Sequence, residues 1–103
     1  MRTQFLGDSD GLRARLGQVL DAAGVTANAA SELAGTARAS VGFIINGKIQ
    51  NPTIAILDSI ARVFDVSLDW LVRNQGEMPD PERIRAAVER ARSAKKMTRE
   101  VAA

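Results

Sequence analysis

Apolar residues recur at intervals of three and four along most of the chain, and polar caps and glycines divide this pattern into short segments. No stretch alternates apolar and polar residues convincingly, as a half-buried strand would, so we predict an all-α chain. The first helix is expected over residues 12–23, capped by Ser9 or Asp10 and ended by Gly24. Its apolar face contains Leu12, Leu16, Val19, Leu20 and Ala23.

Two short helices with a glycine between them are predicted next. Thr26 can cap a helix that ends at residue 34, and Gly35 breaks the chain before a third helix over residues 38–46. Asn46 and Gly47 are expected to stop the third helix with left-handed backbone. Two short helices around a tight turn that contains glycine are typical of helix-turn-helix architecture.

Three further helices complete the predicted architecture. Asn51 and Pro52 indicate the start of a fourth helix to about residue 64, since Asn accepts from free amides and Pro fits the first turn. Ser67 is expected to cap a fifth helix over residues 67–72. The predicted organisation is a domain over residues 10–73, a linker over 74–80 and an amphipathic helix over 81–97. The fourth helix has an apolar stripe of Ile54, Leu57, Ile60, Ala61 and Phe64.

Composition removes most enzyme mechanisms from consideration. The chain of 103 residues contains neither Cys nor His, so it offers no disulfide, thiol nucleophile, imidazole base or ordinary zinc site. We therefore expect no enzyme, no cofactor and no metal, and the sequence identifies no small-molecule ligand. The absence of a long apolar run and of a signal-peptide pattern predicts a soluble, cytoplasmic protein without membrane contact.

The charge is unevenly distributed along the chain. The net charge is +2, but acidic residues outnumber Lys and Arg by one in residues 1–78, and basic residues are in excess by three in residues 79–103. A nucleic-acid surface on the main body must therefore be a local patch, because the body as a whole would weakly repel a polyanion.

An ordered series of short segments lies between residues 12 and 77. The segments are Gly24-Val25-Thr26, Gly35-Thr36, Ser40-Val41, Asn46-Gly47-Lys48, Asn51-Pro52-Thr53 and Val66-Ser67-Leu68-Asp69-Trp70-Leu71. In this order and spacing the chain resembles the Cro and phage-repressor type regulators, or XRE family. The resemblance implies a five-helix lambda-repressor-like helix-turn-helix domain, here followed by a C-terminal helix.

The resemblance also implies a function. A transcriptional regulator is expected, a phage-type or bacterial repressor that binds double-stranded operator DNA as a homodimer through residues 38–46. Similar phage repressors often carry a self-cleaving C-terminal domain, and we do not expect one here after residue 103. The alternative is a protein-interaction module, similar to an antitoxin or anti-repressor, with Gly42, Phe43 and Ile49 as an apolar docking face.

Departures from the family pattern bear on both hypotheses. Ala27 stands where the family usually has Gln or a similar polar residue that contacts a phosphate, so one anchor is lost. Leu20 and Ile45 align with an Arg and a Glu that form a buried pair in many members. Replacement of both partners by apolar residues is coherent, because loss of only one would leave a buried charge unpaired.

Residues on the outer side of the third helix are the candidate base contacts. With Val41, Ile44 and Ile45 packed inward, the opposite side carries Arg38, Ala39, Gly42, Phe43 and Asn46. The resemblance implies that the first residues of this helix enter the major groove, so Arg38 is the leading base reader. Its planar group can donate two hydrogen bonds to guanine; the alternative is a phosphate contact. Ala39 either contacts a thymine methyl group or serves as a good helix former. Gly42 permits the close approach of either DNA or a neighbouring helix. Phe43 either contacts thymine methyl groups or packs on the protein body or a protein partner.

Two further groups complete the candidate interface. Arg2 is a possible flexible arm or simply solvated. We predict that five residues form the contact between two copies of the chain; the alternative is that the sixth helix docks on its own chain through them. These residues are Trp70, Ile84, Ala87, Val88 and Ala91. The predicted DNA backbone contacts are Thr26, Ala27, Ser40, Asn46, Lys48, Gln50 and Asn51.

Overall fold

A computed structural model describes residues 9–102 of the chain, and the side chains of residues 10–97. This part contains six helices and no strand, which confirms the all-α prediction. Arg2, predicted as a possible arm, lies outside the described residues. The helices are α1 (Ser9–Ala23), α2 (Ala27–Ala34), α3 (Ser40–Ile45), α4 (Ile54–Phe64), α5 (Leu68–Arg73) and α6 (Pro81–Ala102).

Hydroxyl side chains cap three of these helices. The Oγ1 atom of Thr26 accepts from the amide of Ala29 at 3.1 Å, and Oγ of Ser67 accepts from the amide of Trp70 at 2.9 Å. Both caps were predicted. The prediction for α4 is wrong, because Thr53 rather than Asn51 lies directly before the helix in extended backbone and accepts from the amide of Ile56 at 3.2 Å.

Two other predicted boundaries need correction. Helix α1 begins at Ser9, three residues before the predicted start, so Asp10 lies in its first turn and pairs with Arg13 instead of capping. Helix α3 is shorter than predicted, because the amide of Ser40 donates to the carbonyl of Ala37 at 2.9 Å and closes a turn before the helix. Arg38 and Ala39 therefore precede the regular helix.

The core is formed by one face of each helix. In α1, four of the five predicted apolar positions are buried, and Ala23 is half-buried. In α4 the predicted stripe is buried except for Ile54, which begins the helix and is 58% exposed. Ile54 was therefore wrongly placed in the core, because the helical period does not show where the protein surface cuts across the first turn.

A buried arginine joins α1 to the end of α5. Nε of Arg15 donates to the carbonyl of Leu71 at 2.9 Å, and Nη2 donates to the carbonyl of Val72 at 3.2 Å. The last carbonyls of a helix have no partner within the helix, and they form the negative end of its dipole. Arg15 thus supplies both hydrogen bonds and a compensating charge at a buried helix end, a role that the sequence analysis missed.

Helix α6 docks on the body of the same chain. Its seam residues Ile84, Ala87 and Val88 are buried and Ala91 is half-buried, with α1 and α4 as the main neighbours. Trp70 is also buried. These five residues were predicted as dimer contacts, with docking of the sixth helix within the chain as the alternative. In the docked position they lie inside one chain, so contact with a second copy through them would require α6 to leave the body.

Cations of α6 bind the carboxyl ends of two other helices. Nε of Arg85 donates to the carbonyl of Ala22 at 3.1 Å, near the end of α1. Nζ of Lys95 donates to the carbonyl of Glu32, near the end of α2. Both cations lie where a helix dipole is negative, so each contact favours the docked position of α6.

An acidic residue at the end of α4 adds an ion pair to α6. Asp65 follows the helix in left-handed backbone, and its Oδ2 accepts from Nε of Arg83 at 2.8 Å. This hydrogen bond lowers the pKa of Asp65, and desolvation opposes it with a smaller effect. The positive charges of Arg83 and Arg90 lower the pKa further. The ion pair with Arg83 thus stabilises the charged form of the carboxylate and favours the docked position of α6.

Candidate nucleic-acid interface

A tight turn connects α2 to α3. Gly35 ends α2 in left-handed backbone with a φ of 74°, a conformation that glycine adopts without strain. The amide and the hydroxyl of Thr36 both donate to the carbonyl of Ser31, at 3.0 and 3.1 Å. These bonds give the turn a defined path, so the angle between α2 and α3 does not depend on apolar packing alone.

The Ser31 hydroxyl connects the two helices directly. It is fully buried, donates to the carbonyl of Ala27 at 3.0 Å and accepts from the amide of Val41 at 3.0 Å. Ala39 precedes α3 and provides no side-chain cap, so the amide of Val41 would otherwise lack a partner. Ser31 therefore caps α3 from the neighbouring helix, which the sequence analysis did not predict.

We expect Ser31→Ala to lower the free energy of unfolding by about 1–3 kcal/mol, because it leaves a buried amide unpaired. Ser59→Ala is the matched control, since the Ser59 hydroxyl bonds only the carbonyl of Ala55 in its own helix, at 3.0 Å. Urea unfolding of both variants measures the difference. Equal losses in the two variants would contradict the capping role of Ser31.

One side of α3 faces the core and the other remains accessible. Ser40, Val41 and Ile44 are buried, which fixes the inner side. Ile45 is half-buried and packs against the core, as expected for the inner side. On the outer side, Ala39, Gly42 and Phe43 are half-buried and Asn46 is exposed.

Arg38 extends from the turn that precedes α3. Of its side chain, 77% is exposed, and Nε lies 3.8 Å from Oε1 of Glu32 on α2. An ion pair between two exposed side chains contributes only about 0–1 kcal/mol, so a stronger partner displaces it readily. The guanidinium group is therefore available to a base edge or a phosphate, although it lies outside the regular helix.

Gly42 lies beside the start of α2. A Cβ atom at this position would meet Cβ of Ala27 at 3.8 Å, an ordinary van der Waals distance. Gly42 was expected to permit the close approach of either DNA or a helix, and in the structure helix α2 lies next to it. The space at this position would nevertheless accept a methyl group. Ala27, the residue that departs from the family pattern, is half-buried and packs against the core.

The loop after α3 holds a cation over an aromatic ring. Nζ of Lys48 lies 4.6 Å from the centroid of Phe43, within the range of a cation–π interaction. Oδ1 of Asn46 accepts from the amide of Lys48 at 2.9 Å, and the amide of Ile49 donates to the carbonyl of Phe43 at 2.9 Å. Phe43 and Lys48, predicted separately as a base contact and a phosphate contact, thus form one unit on the surface.

The remaining predicted backbone contacts divide into exposed and engaged residues. Gln50 and Asn51 are exposed. Thr26 is exposed, but its hydroxyl already caps α2. Ser40, also predicted as a backbone contact, is buried at the start of α3, so little of its side chain reaches the surface. The predicted left-handed pair is corrected, because Gly47 has a φ of 83° while Asn46 has −83°.

Arg13 is a cation near this loop that the sequence analysis missed. It belongs to α1, yet its Nη1 lies 4.0 Å from the position that a Cβ on Gly47 would occupy. Its side chain is 28% exposed and pairs with Asp10. No local pattern indicates this placement, because the loop and α1 come together only in the folded chain.

Residues 16–71 match the family model described as helix-turn-helix, and this match covers more than half of the chain. The chain belongs to the Cro/C1-type helix-turn-helix family, also called the XRE family. This XRE family consists of DNA-binding regulators and not of enzymes. Comparison with curated proteins and with solved structures gives no match.

The described residues contain neither a candidate membrane span nor a candidate metal-binding cluster. None of the helices in residues 9–102 is both long and apolar enough to cross a membrane. The same part of the chain has no cluster of three or more acidic side chains that could hold a metal ion.

Proposed function

We propose that this XRE regulator is a repressor, of phage or bacterial type, that binds a short operator through residues 38–46. The observation that carries the proposal is the two-sided placement of α3. Ser40, Val41 and Ile44 fix it to the core, while Gly42, Phe43 and Asn46 stay accessible on the other side. A helix held in this way presents side chains to the major groove without losing its support.

The roles of the side chains follow from their positions. Arg38 is proposed to read guanine, with Ala39, Gly42 and Phe43 close to the bases. Lys48, Gln50 and Asn51 border this surface on the loop after α3, and Arg13 lies beside the same loop. These polar groups are suited to phosphates, which position the protein without specifying sequence.

We further propose that the repressor binds as a symmetric dimer. Two copies would read half-sites about one helical turn, roughly 34 Å, apart. Since the seam of α6 is covered within one chain, the contact between copies has to use another surface while α6 is docked.

Titration of labelled mixed-sequence DNA at several salt concentrations tests the proposed function. We expect binding at low salt and a plot of log K against log salt with a negative slope of several units, because each phosphate contact contributes about 0.9. Absence of binding at low salt would overturn the proposal. Selection of bound sites from random DNA then provides the operator sequence.

Arg38→Ala and Lys48→Ala are expected to have different effects on DNA binding. We expect Arg38→Ala to remove base preference at one operator position, worth about 1–3 kcal/mol, and Lys48→Ala to weaken binding to all sequences alike. Competition with operators altered one base pair at a time measures both effects. Arg73→Ala is the control, because Arg73 is an exposed cation on α5 paired with Asp69. Uniform losses from both variants would show that Arg38 contacts a phosphate only.

A further inference from the structure

The distal part of α6 carries a cluster of cations. Residues 92–97 include Arg92, Lys95 and Lys96 and no acidic residue, and all six residues are exposed. Residues 1–78 have one more acidic than basic residue. The basic excess therefore lies on a helix outside the residues that match the family model.

Contacts with the body set the course of α6. It passes the ends of α4 and α1, where Arg83 and Arg85 form their hydrogen bonds. It then reaches the end of α2, where Lys95 donates to the carbonyl of Glu32. The basic cluster is thereby directed to the helix-turn-helix and not away from it.

Glu32 connects this cluster with the proposed base reader. Its main-chain carbonyl accepts from Lys95, while its carboxylate lies 3.8 Å from Nε of Arg38. Lys95 and Arg38, far apart in sequence, therefore meet the same residue at the end of α2. The proposed base reader and one cation of α6 thus share a neighbour at the end of α2.

We propose that Arg92, Lys95 and Lys96 form a second DNA-binding element, which contacts phosphates beside the groove that Arg38 enters. The inference rests on the proposed function and extends it to a part of the chain beyond residues 16–71. A lysine amine on its flexible stem can exchange the Glu32 carbonyl for a phosphate while α6 stays docked through its apolar seam. The element adds affinity without base preference, because phosphates carry no sequence information.

Lys96→Gln and the double variant Lys95→Gln/Lys96→Gln test this element in the full chain. We expect the slope of log K against log salt to fall in magnitude by about 0.9 for the single variant and about 1.8 for the double variant. At about 0.1 M salt this corresponds to affinity roughly 8-fold and 60-fold weaker, with base preference unchanged. Arg73→Gln, which removes one cation from α5, is the matched control and should leave the slope unchanged.

The outcomes separate the two proposals. If the unaltered protein binds no DNA at low salt, the proposed function fails. If it binds with a steep salt dependence and the two α6 variants keep that slope, the second element is overturned while the proposed function stands. A changed oligomeric state with an unchanged slope also overturns it, and assigns the cations to contact between copies. The thermal midpoint of Lys96→Gln, an exposed substitution, checks that α6 remains folded.

Discussion

Ile84→Asp is expected to lower the free energy of unfolding by about 4 kcal/mol or more, enough to detach α6 or unfold the chain. Ile84 is fully buried in the seam between α6 and the body. The substitution leaves a cavity and places a carboxylate in an apolar site where it has no partner. Urea unfolding followed by the fluorescence of Trp70, which is buried in the same core, measures the loss.

Met97→Asp is the control for this experiment. Met97 lies on the same helix but is 65% exposed, so we expect a change within about 0.5 kcal/mol. The dependence on protein concentration provides a second check. If the effect of Ile84→Asp were confined to concentrations at which the protein dimerises, the seam would be a contact between copies and intramolecular docking would be refuted.

Arg15→Ala is expected to destabilise the protein by about 2–4 kcal/mol, since it removes both hydrogen bonds to the end of α5 and leaves two carbonyls unpaired. Arg15→Lys should lose less stability than Arg15→Ala, because its ammonium group keeps the positive charge. It should still lose some, since lysine lacks the planar group that reaches both carbonyls. Thermal or urea unfolding of the two variants measures this order.

Arg13→Ala is the control for Arg15→Ala, because Arg13 is on the same helix but forms its ion pair with an exposed side chain, that of Asp10. We expect a change within about 1 kcal/mol. A loss as large as that of Arg15→Ala would show that any arginine of α1 is equally important, and that burial at the end of α5 is not decisive.

Local signals in the sequence predicted most of the helices. Thr26 and Ser67 were recognised as caps because a hydroxyl just before a helical pattern can accept from a free amide three residues further along the chain. The same rule selected the wrong residue at α4, because Asn51 was taken as the cap although Thr53 also has a suitable side chain. Only the backbone conformation distinguishes them, since the cap has to lie in extended backbone directly before the helix.

Contacts between distant segments were beyond the sequence analysis. The seam of α6 was recognised as apolar, but a period of three and four shows that a face is buried without showing what covers it. Arg15 and Ser31 were missed for a related reason. Their partners, the carbonyls of α5 and the amide of Val41, belong to other helices, and no spacing within one helix indicates them.

The candidate site was predicted in outline and not in detail. The inward side of α3 was recognised from Val41 and Ile44, and this determined its accessible side. The predicted start of the helix was wrong, because Arg38 and Ala39, which have good helical propensity, belong to the turn after Gly35. The burial of Ser40 was not predicted. Tertiary geometry here overrides local preference.

The docking of α6 also has a consequence for how the protein is made. The seam on α1 and α4 is synthesised before the ribosome reaches Ile84, so the nascent body exposes an apolar surface during translation. Contacts such as Arg85 to Ala22 join segments more than sixty residues apart and close late. Until α6 emerges, this surface is open to chaperones and to other nascent chains.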